Sequence, residues 1–213
     1  MSSTFQGRAA TPQNNYDLEA EYGISNFDSP HRIILAPIVR FPSPSGRAAA
    51  ALLGGWTASA IVELVSGSPL NAVLSSGTST RNLGLFGGLQ RPNRIGDPGT
   101  AGGDNERVAT TEEPGARWFD RAAFENPGAG QFGTSPRTHG DARYQFRKNV
   151  DVVFTKDARF GRQAGQVRFE ILNLTNTPKF GPAATSIDLS SFGRITSQRG
   201  FSRIWQLTFR YSF

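Results

Sequence analysis

The last thirteen residues, Phe201-Ser-Arg-Ile-Trp-Gln-Leu-Thr-Phe-Arg-Tyr-Ser-Phe213, constrain the fold more than any other stretch. Their odd positions read Phe201, Arg203, Trp205, Leu207, Phe209, Tyr211 and Phe213; their even positions read Ser202, Ile204, Gln206, Thr208, Arg210 and Ser212. A period of two sends side chains alternately to two faces, so this is a strand with one apolar and one wetted face, with Arg203 and Ile204 as the slips. At about 3.3 Å per residue it outruns the ordinary globular strand and suits a tilted crossing of a bilayer. A long strand in a soluble β-sandwich would carry the same pattern.

Four more runs alternate in the same way. Phe146 to Phe154 sets Phe146, Val150, Val152 and Phe154 against Arg147, Asn149 and Asp151, and Gln166 to Ile171 alternates as cleanly. These two are expected to form a hairpin across the polar, Gly-containing stretch Thr155 to Gly165. Trp56 to Leu64 places Trp56, Ala58, Ala60, Val62 and Leu64 opposite Thr57, Ser59 and Glu63. His31 to Phe41 is weaker because Pro37 removes a ladder hydrogen bond. Connections alternate too: Pro42–Gly55 and Thr155–Gly165 are short, whereas Ser66–Tyr144 and Thr175–Gly200 are long and rich in Gly, Pro, Asn and Asp. Short turns at one end and long loops at the other are the habit of outer-membrane barrels. The expected fold is all-β, an antiparallel transmembrane β-barrel segment of about five strands of a larger barrel with long extracellular loops.

Composition narrows the chemistry. With 24 glycines and 13 prolines among 213 residues, long helices are disfavoured. The absence of cysteine excludes thiol catalysis, disulfides and Cys-type zinc sites, and two histidines exclude a multi-His metal centre. The net charge of +6 rests mainly on arginine, but no basic run exceeds Arg147-Lys148, so no nucleic-acid partner is expected. Met1 to Arg8 has neither the basic nor the apolar region of a secretory signal, and the apolar stretch Ala48 to Val62 is too short and interrupted to span as a helix.

Three local patterns invite a functional reading. Gly128-Ala-Gly130-Gln-Phe-Gly133 matches the dinucleotide fingerprint but lies between Asn126-Pro127 and Ser135-Pro136, without a strand before or a helix after it, so it reads as a loop. Asp17, Glu19 and Glu21, near Asp28 and His31, would line one strand face able to hold Ca²⁺, or form a solvated edge with Arg32 as counter-ion, which is the preferred reading. His31 and His139 lack a nucleophile elbow for a Ser-His-Asp arrangement, so no catalytic, metal or cofactor site is expected. Asn173-Leu-Thr175 is a glycosylation sequon by pattern alone. Trp205 and Tyr211, at opposite ends of the last strand's apolar face, are placed as interfacial aromatics.

A series of motifs resembles the C-terminal portion of Oar-like TonB-dependent outer-membrane receptors. They are Tyr16–Gly23 through Phe27–Arg32, Gly55-Trp56 with Ser66–Leu70, Arg91–Pro98, Trp118–Phe124, Gly130–Gly133, Phe169–Gly181, Phe192–Thr196, Arg199-Gly200 and the terminal Phe213. The resemblance implies that residues 1–213 are the C-terminal part of such a barrel, with 1–30 an extracellular loop region and 31–213 strands and loops. It implies wall strands and ligand-facing loops for nutrient uptake and an assembly signal at Phe209, Tyr211 and Phe213. The implied partners are outer-membrane lipid, the rest of the barrel and its plug, the barrel-insertion machinery and, through an N-terminal part lacking here, the TonB system. Long loops would then face the medium, including a tag site at Gly102-Gly103. The alternative reading is a soluble secreted β-sandwich that binds through its long loops.

Overall fold

A computed structural model describes residues 12–84, 90–99 and 117–213; Met1–Arg8 and Gly102-Gly103 lie outside the described residues. In chain order the elements are β1 (Arg32–Leu35), β2 (Ile38–Arg40), α1 (Arg47–Leu53), β3 (Trp56–Val65), β4 (Pro69–Leu70), α2 (Ser76–Leu83) and β5 (Asn93–Arg94). They continue as β6 (Phe124–Glu125), β7 (His139–Arg143), β8 (Arg147–Phe160), β9 (Gln163–Leu172) and β10 (Ile204–Ser212). The chain divides into a sheet unit, His31–Ser66, Phe146–Lys179 and Gln198–Phe213, and a loop unit built from the remainder.

The sheet unit is one antiparallel sheet ordered β1-β3-β8-β9-β10, with β2 also on β3. β1 and β2 are a single row in one register: Leu35 lies opposite Val62 and Ile38 opposite Ser59. Ala36-Pro37 interrupts the row because proline has no N–H, yet the Pro37 carbonyl still accepts from Ala60 N at 3.1 Å. All five expected strands therefore form. The hairpin between β8 and β9 differs from expectation, because both strands run on through Thr155–Gly165 and pair as far as Phe160 opposite Gln163. Its turn is Gly161-Arg162 alone, with Gly161 at φ 64, a left-handed backbone that favours glycine. Thr155, Asp157 and Arg159 in that stretch report the wetted face of a long strand, not a loop, whereas Lys156 lies on the other face, opposite Trp56 and Val167.

The strand ends explain the alternation of connections. Val65 lies opposite Arg147 and Leu172 opposite Ile204, so both long connections leave the sheet at one end. The Gly161-Arg162 turn and the connection containing α1 lie at the other end.

The loop unit is a folded body, where the sequence suggested only loops. Leu70, Leu74, Trp118, Phe119, Phe124, Ile187, Phe192 and Ile195 are buried together, with Tyr144 and Phe180 packed against them. Phe119 meets Tyr144 edge-on at 5.2 Å between centroids, and Phe124 meets Phe192 at 5.7 Å. The strands of this unit are only two to five residues long, β4 pairing β7 and β5 pairing β6. Side chains replace long ladders: Arg117 donates to the Phe192 carbonyl and Arg121 to the Ile187 carbonyl. Gly193, at φ 72, passes the Phe119 backbone so closely that a Cβ would collide with its carbonyl oxygen. Phe192→Ala should cost the loop unit about 3–5 kcal/mol. Limited proteolysis is expected to cut within Gly67–Gln145 at much lower protease while the sheet strands remain protected.

Candidate lipid-facing surface and loop unit

Because the main sheet keeps its register, residues on alternate positions form continuous faces. One face carries Ile33, Leu35, Val39 and Phe41, then Trp56, Ala58, Ala60, Val62 and Leu64 on β3, then Val150, Val152 and Phe154 on β8. It continues with Val167, Phe169 and Ile171 on β9 and Trp205, Leu207, Phe209 and Tyr211 on β10. No second sheet covers it among the described residues: Leu207 is 71% exposed, Phe209 70% and Leu35 54%. So large a contiguous apolar surface demands an apolar partner.

The opposite face is mainly polar, although Ile34, Ile38, Ile61 and Val153 also lie on it. Arg32 pairs with Glu63 at 3.0 Å and Arg168 with Glu170 at 2.5 Å, while Gln166 donates to Asp157 at 2.9 Å and Asn149 to Asp151 at 2.8 Å. Exposed pairs of this kind add little stability. Their consequence is a surface that keeps water.

The sequence-predicted residues fall on one strand. Trp205, Phe209 and Tyr211 lie on the apolar face of β10, and Phe213 follows it, 99% exposed. Trp205 packs on Phe169 at 5.5 Å between centroids and Tyr211 on Phe213 at 6.3 Å. Trp205 and Tyr211 stand six residues apart, about 20 Å along the strand.

A second aromatic group at the short-connection end was not singled out from sequence. Trp56, Phe41, Pro42, Pro44, Leu53 and Phe154 line an apolar depression of about 530 Å³. Lys156 sits 5.6 Å over the Trp56 ring and bonds the Gly54 carbonyl with its Nζ. Helix α1 was missed as well, although Arg47-Ala-Ala-Ala-Ala-Leu-Leu before Gly54 is a run of strong helix formers with a stop.

The acidic residues near the start do not assemble. Glu19–Glu21 is a 3₁₀ turn, so the alternation expected of a strand is absent. Glu21 turns inward to a buried ion pair with Arg91 at 2.8 Å, Asp17 accepts from Ala20 N, and Asp28 pairs with Arg143 at 2.6 Å. Arg32, expected as their counter-ion, is engaged by Glu63. Among the described residues no three His, Asp or Glu side chains gather to hold a metal. Gly128–Gly133 is a loop with Gly128 and Gly130 at positive φ and no helix behind it. Asn173 of the sequon is buried, its amide donating to the Thr177 and Phe201 carbonyls and its oxygen accepting from Thr177 N.

His31 lies in the sheet unit and His139 in the loop unit. The His139 Nδ1 stands 3.4 Å from Arg94 Nη1, and Arg94 grips Asp141 at 2.6 Å. Burial, and then the Arg94 charge, push the His139 pKa down to about 4. The hydrogen bond from Arg94 holds the Asp141 carboxyl below its usual value. Burial opposes ionisation of Asp188, but the bonds it accepts from Ser75, at the N-cap of α2, and Thr78, in its first turn, outweigh it and lower its pKa.

The outer membrane beta barrel domain model matches residues 1–206, nearly the whole chain. The chain belongs to this family. No curated relative and no solved structure matches it. Family membership supplies the missing partner of the apolar face: the sheet is barrel wall in the bacterial outer membrane, with its apolar side against lipid and its polar side inward. No helix among the described residues is long and apolar enough to cross a membrane, and the crossing is made by strands.

In lipid, Leu207→Arg should cost about 2–4 kcal/mol, whereas Gln206→Arg, one residue away on the polar face, should be mild; denaturant unfolding in lipid vesicles reads the difference. His139 supplies a pH prediction. In the unfolded chain it binds a proton below about 6.5, whereas in the folded unit it does so only below about 4. The loop unit should therefore lose stability as pH falls through that window, measured as rising protease sensitivity at pH 4.5 relative to pH 7.5.

Proposed function

We propose that this chain is the C-terminal wall segment of an Oar-like TonB-dependent outer-membrane transporter or receptor, supplying strands and ligand-facing loops for nutrient uptake and no catalysis. The observation that carries this reading is the loop unit. Two long connections and the residues before β1 build one body with its own aromatic core, where a bare wall would need only flexible loops. A fixed surface at the ligand-arrival side is what a selective receptor requires. The ordered motif series from Tyr16 to Phe213 supports the finer family assignment.

In this reading residues 12–30 belong to the extracellular part and the Gly161-Arg162 turn is periplasmic. Trp205 and Tyr211 are interfacial anchors, and Phe209, Tyr211 and Phe213 form the signal read by the barrel-insertion machinery. The rest of the barrel, a plug and the TonB system complete the transporter, with no nucleic-acid partner. A protease site placed at Ala129-Gly130, an exposed turn of the loop unit, should be cut from outside intact cells. The same site at Gly161-Arg162 should be cut only after the outer membrane is opened. The reverse pattern would refute the topology. For the transporter role, cells carrying the intact receptor gene should lose growth on its nutrient both when TonB is deleted and when the Ala129-Gly130 turn is blocked by a bulky insertion.

A further inference from the structure

Lysine and arginine are placed differently on this wall. β8 carries Lys148 and Lys156 on its apolar face, with Val150, Val152 and Phe154 between them, whereas Arg147, Arg159, Arg168 and Arg210 lie on the wetted face. The two lysines stand eight residues apart, about 26 Å along the strand and, at the usual barrel tilt, about 20 Å in depth. A cation on the lipid side is costly at mid-depth and tolerated near the head groups, where a flexible stem lets the ammonium reach them. Lys156 lies in the row of Trp56, Val167 and Phe209, one side-chain row short of Tyr211 on the way to the Gly161-Arg162 turn.

The surroundings of Lys156 are those of a seat for an amphiphile. Its Nζ stands over the ring of Trp56, which with Phe41, Pro42, Pro44, Leu53 and Phe154 lines the apolar depression of about 530 Å³. That volume is in the range of small-molecule sites. The lining offers little to water: Pro42 and Pro44 have no N–H, and Trp56 spends its indole N–H on the Leu52 carbonyl at 3.2 Å. A peptide laid there would leave backbone groups unsatisfied. Lys156 gives one donor to the Gly54 carbonyl and keeps others, and no carboxylate pairs with it among the described residues. Leu53, at the end of α1, is 63% exposed beside it.

We propose that this depression seats one glycerophospholipid of the periplasmic leaflet, with an acyl chain against Phe41, Trp56 and Phe154 and the phosphate on the Lys156 ammonium. Two features select this occupant. The depression is continuous with the lipid-facing wall, and a single cation at the rim of an apolar hollow complements a molecule with one phosphate and long hydrocarbon chains. The seat therefore differs from the rest of the wall, which any hydrocarbon can wet. The choice of leaflet rests on the proposed topology, whereas a titration in detergent reads the seat without regard to sidedness.

The test uses the full chain in a maltoside detergent, which carries no phosphate. One variant keeps only Trp56 (Trp118→Phe with Trp205→Phe) and another keeps only Trp205 (Trp56→Phe with Trp118→Phe). Phosphatidylglycerol brominated on its acyl chains should quench Trp56 with saturation near one lipid per chain, and Trp205 only in proportion to the lipid added. Brominated diacylglycerol, with the same chains and no phosphate, should quench both only in proportion. In the Trp56 background, Lys156→Gln should raise the half-saturating concentration at least about tenfold, the effect of losing one charge-assisted hydrogen bond. Lys148→Gln should leave it unchanged. Leu53→Glu keeps Lys156 and its bond to Gly54 but sets a carboxylate beside the phosphate, so it should weaken binding as much. Proportional quenching of Trp56 by both lipids, or saturation by diacylglycerol at the same concentration, would overturn the inference. So would saturation unchanged by Lys156→Gln, a loss in Lys156→Gln without one in Leu53→Glu, which marks a purely structural lysine, or a Trp56 that neither lipid quenches because a protein segment covers it.

Discussion

A strand inside a bilayer has no water with which to satisfy its backbone, so everything in this wall depends on an unbroken ladder of interstrand hydrogen bonds. From β1/β2 to β10 the main sheet holds one register, whereas the short β4–β7 ladder of the loop unit shifts register between Pro69 and Leu70. That register is what makes the two faces differ. A slip of one residue in β8 would carry Asp151 and Asp157 to the lipid side and bring Val152 and Phe154 to the wetted side. The hydrophobic effect thus selects the register, and the register in turn satisfies the backbone.

The loop unit solves a different problem with the same chain. Its residues come from three separated stretches and it has few backbone ladders, so burial of aromatic and aliphatic side chains has to hold it. Trp118 is buried in this core, with its indole N–H donating to the Arg143 carbonyl at 2.7 Å. The stretch before β1 is fastened by Gln13, which donates to Gly133 O and accepts from Arg91 N, alongside the buried Arg91–Glu21 pair. Breaking one partner of such a pair leaves an uncompensated buried charge, so it fixes which arrangement is permitted more than it adds net stability.

The wall was legible in the sequence because its signal is local. Each crossing strand repeats every two residues, and even Pro37 did not disguise β1/β2 once β3 held the register on both sides of it. The loop unit was not legible, because its core residues, such as Leu70, Trp118, Phe192 and Ile195, are scattered at no fixed period and meet only through long-range packing. Thr155–Gly165 misled for a related reason: Lys156, Asp157 and Arg159 look like a turn by composition, while pairing with β9 keeps them extended. Asp17, Glu19 and Glu21 misled because alternation over a few residues does not distinguish a strand from a 3₁₀ turn that an inward ion pair pins down.

The three tryptophans divide between the apolar face of the sheet and the core of the loop unit. Trp56 and Trp205 lie on the apolar face of the sheet, whereas Trp118 is 4% exposed in the core of the loop unit. Single-tryptophan variants of the membrane-inserted protein, titrated with lipids that carry a quencher on the acyl chain, test whether that face meets lipid. Fluorescence of Trp56 and Trp205 should be strongly quenched and that of Trp118 unaffected. Equal quenching of all three, or quenching of Trp118 alone, would contradict the account.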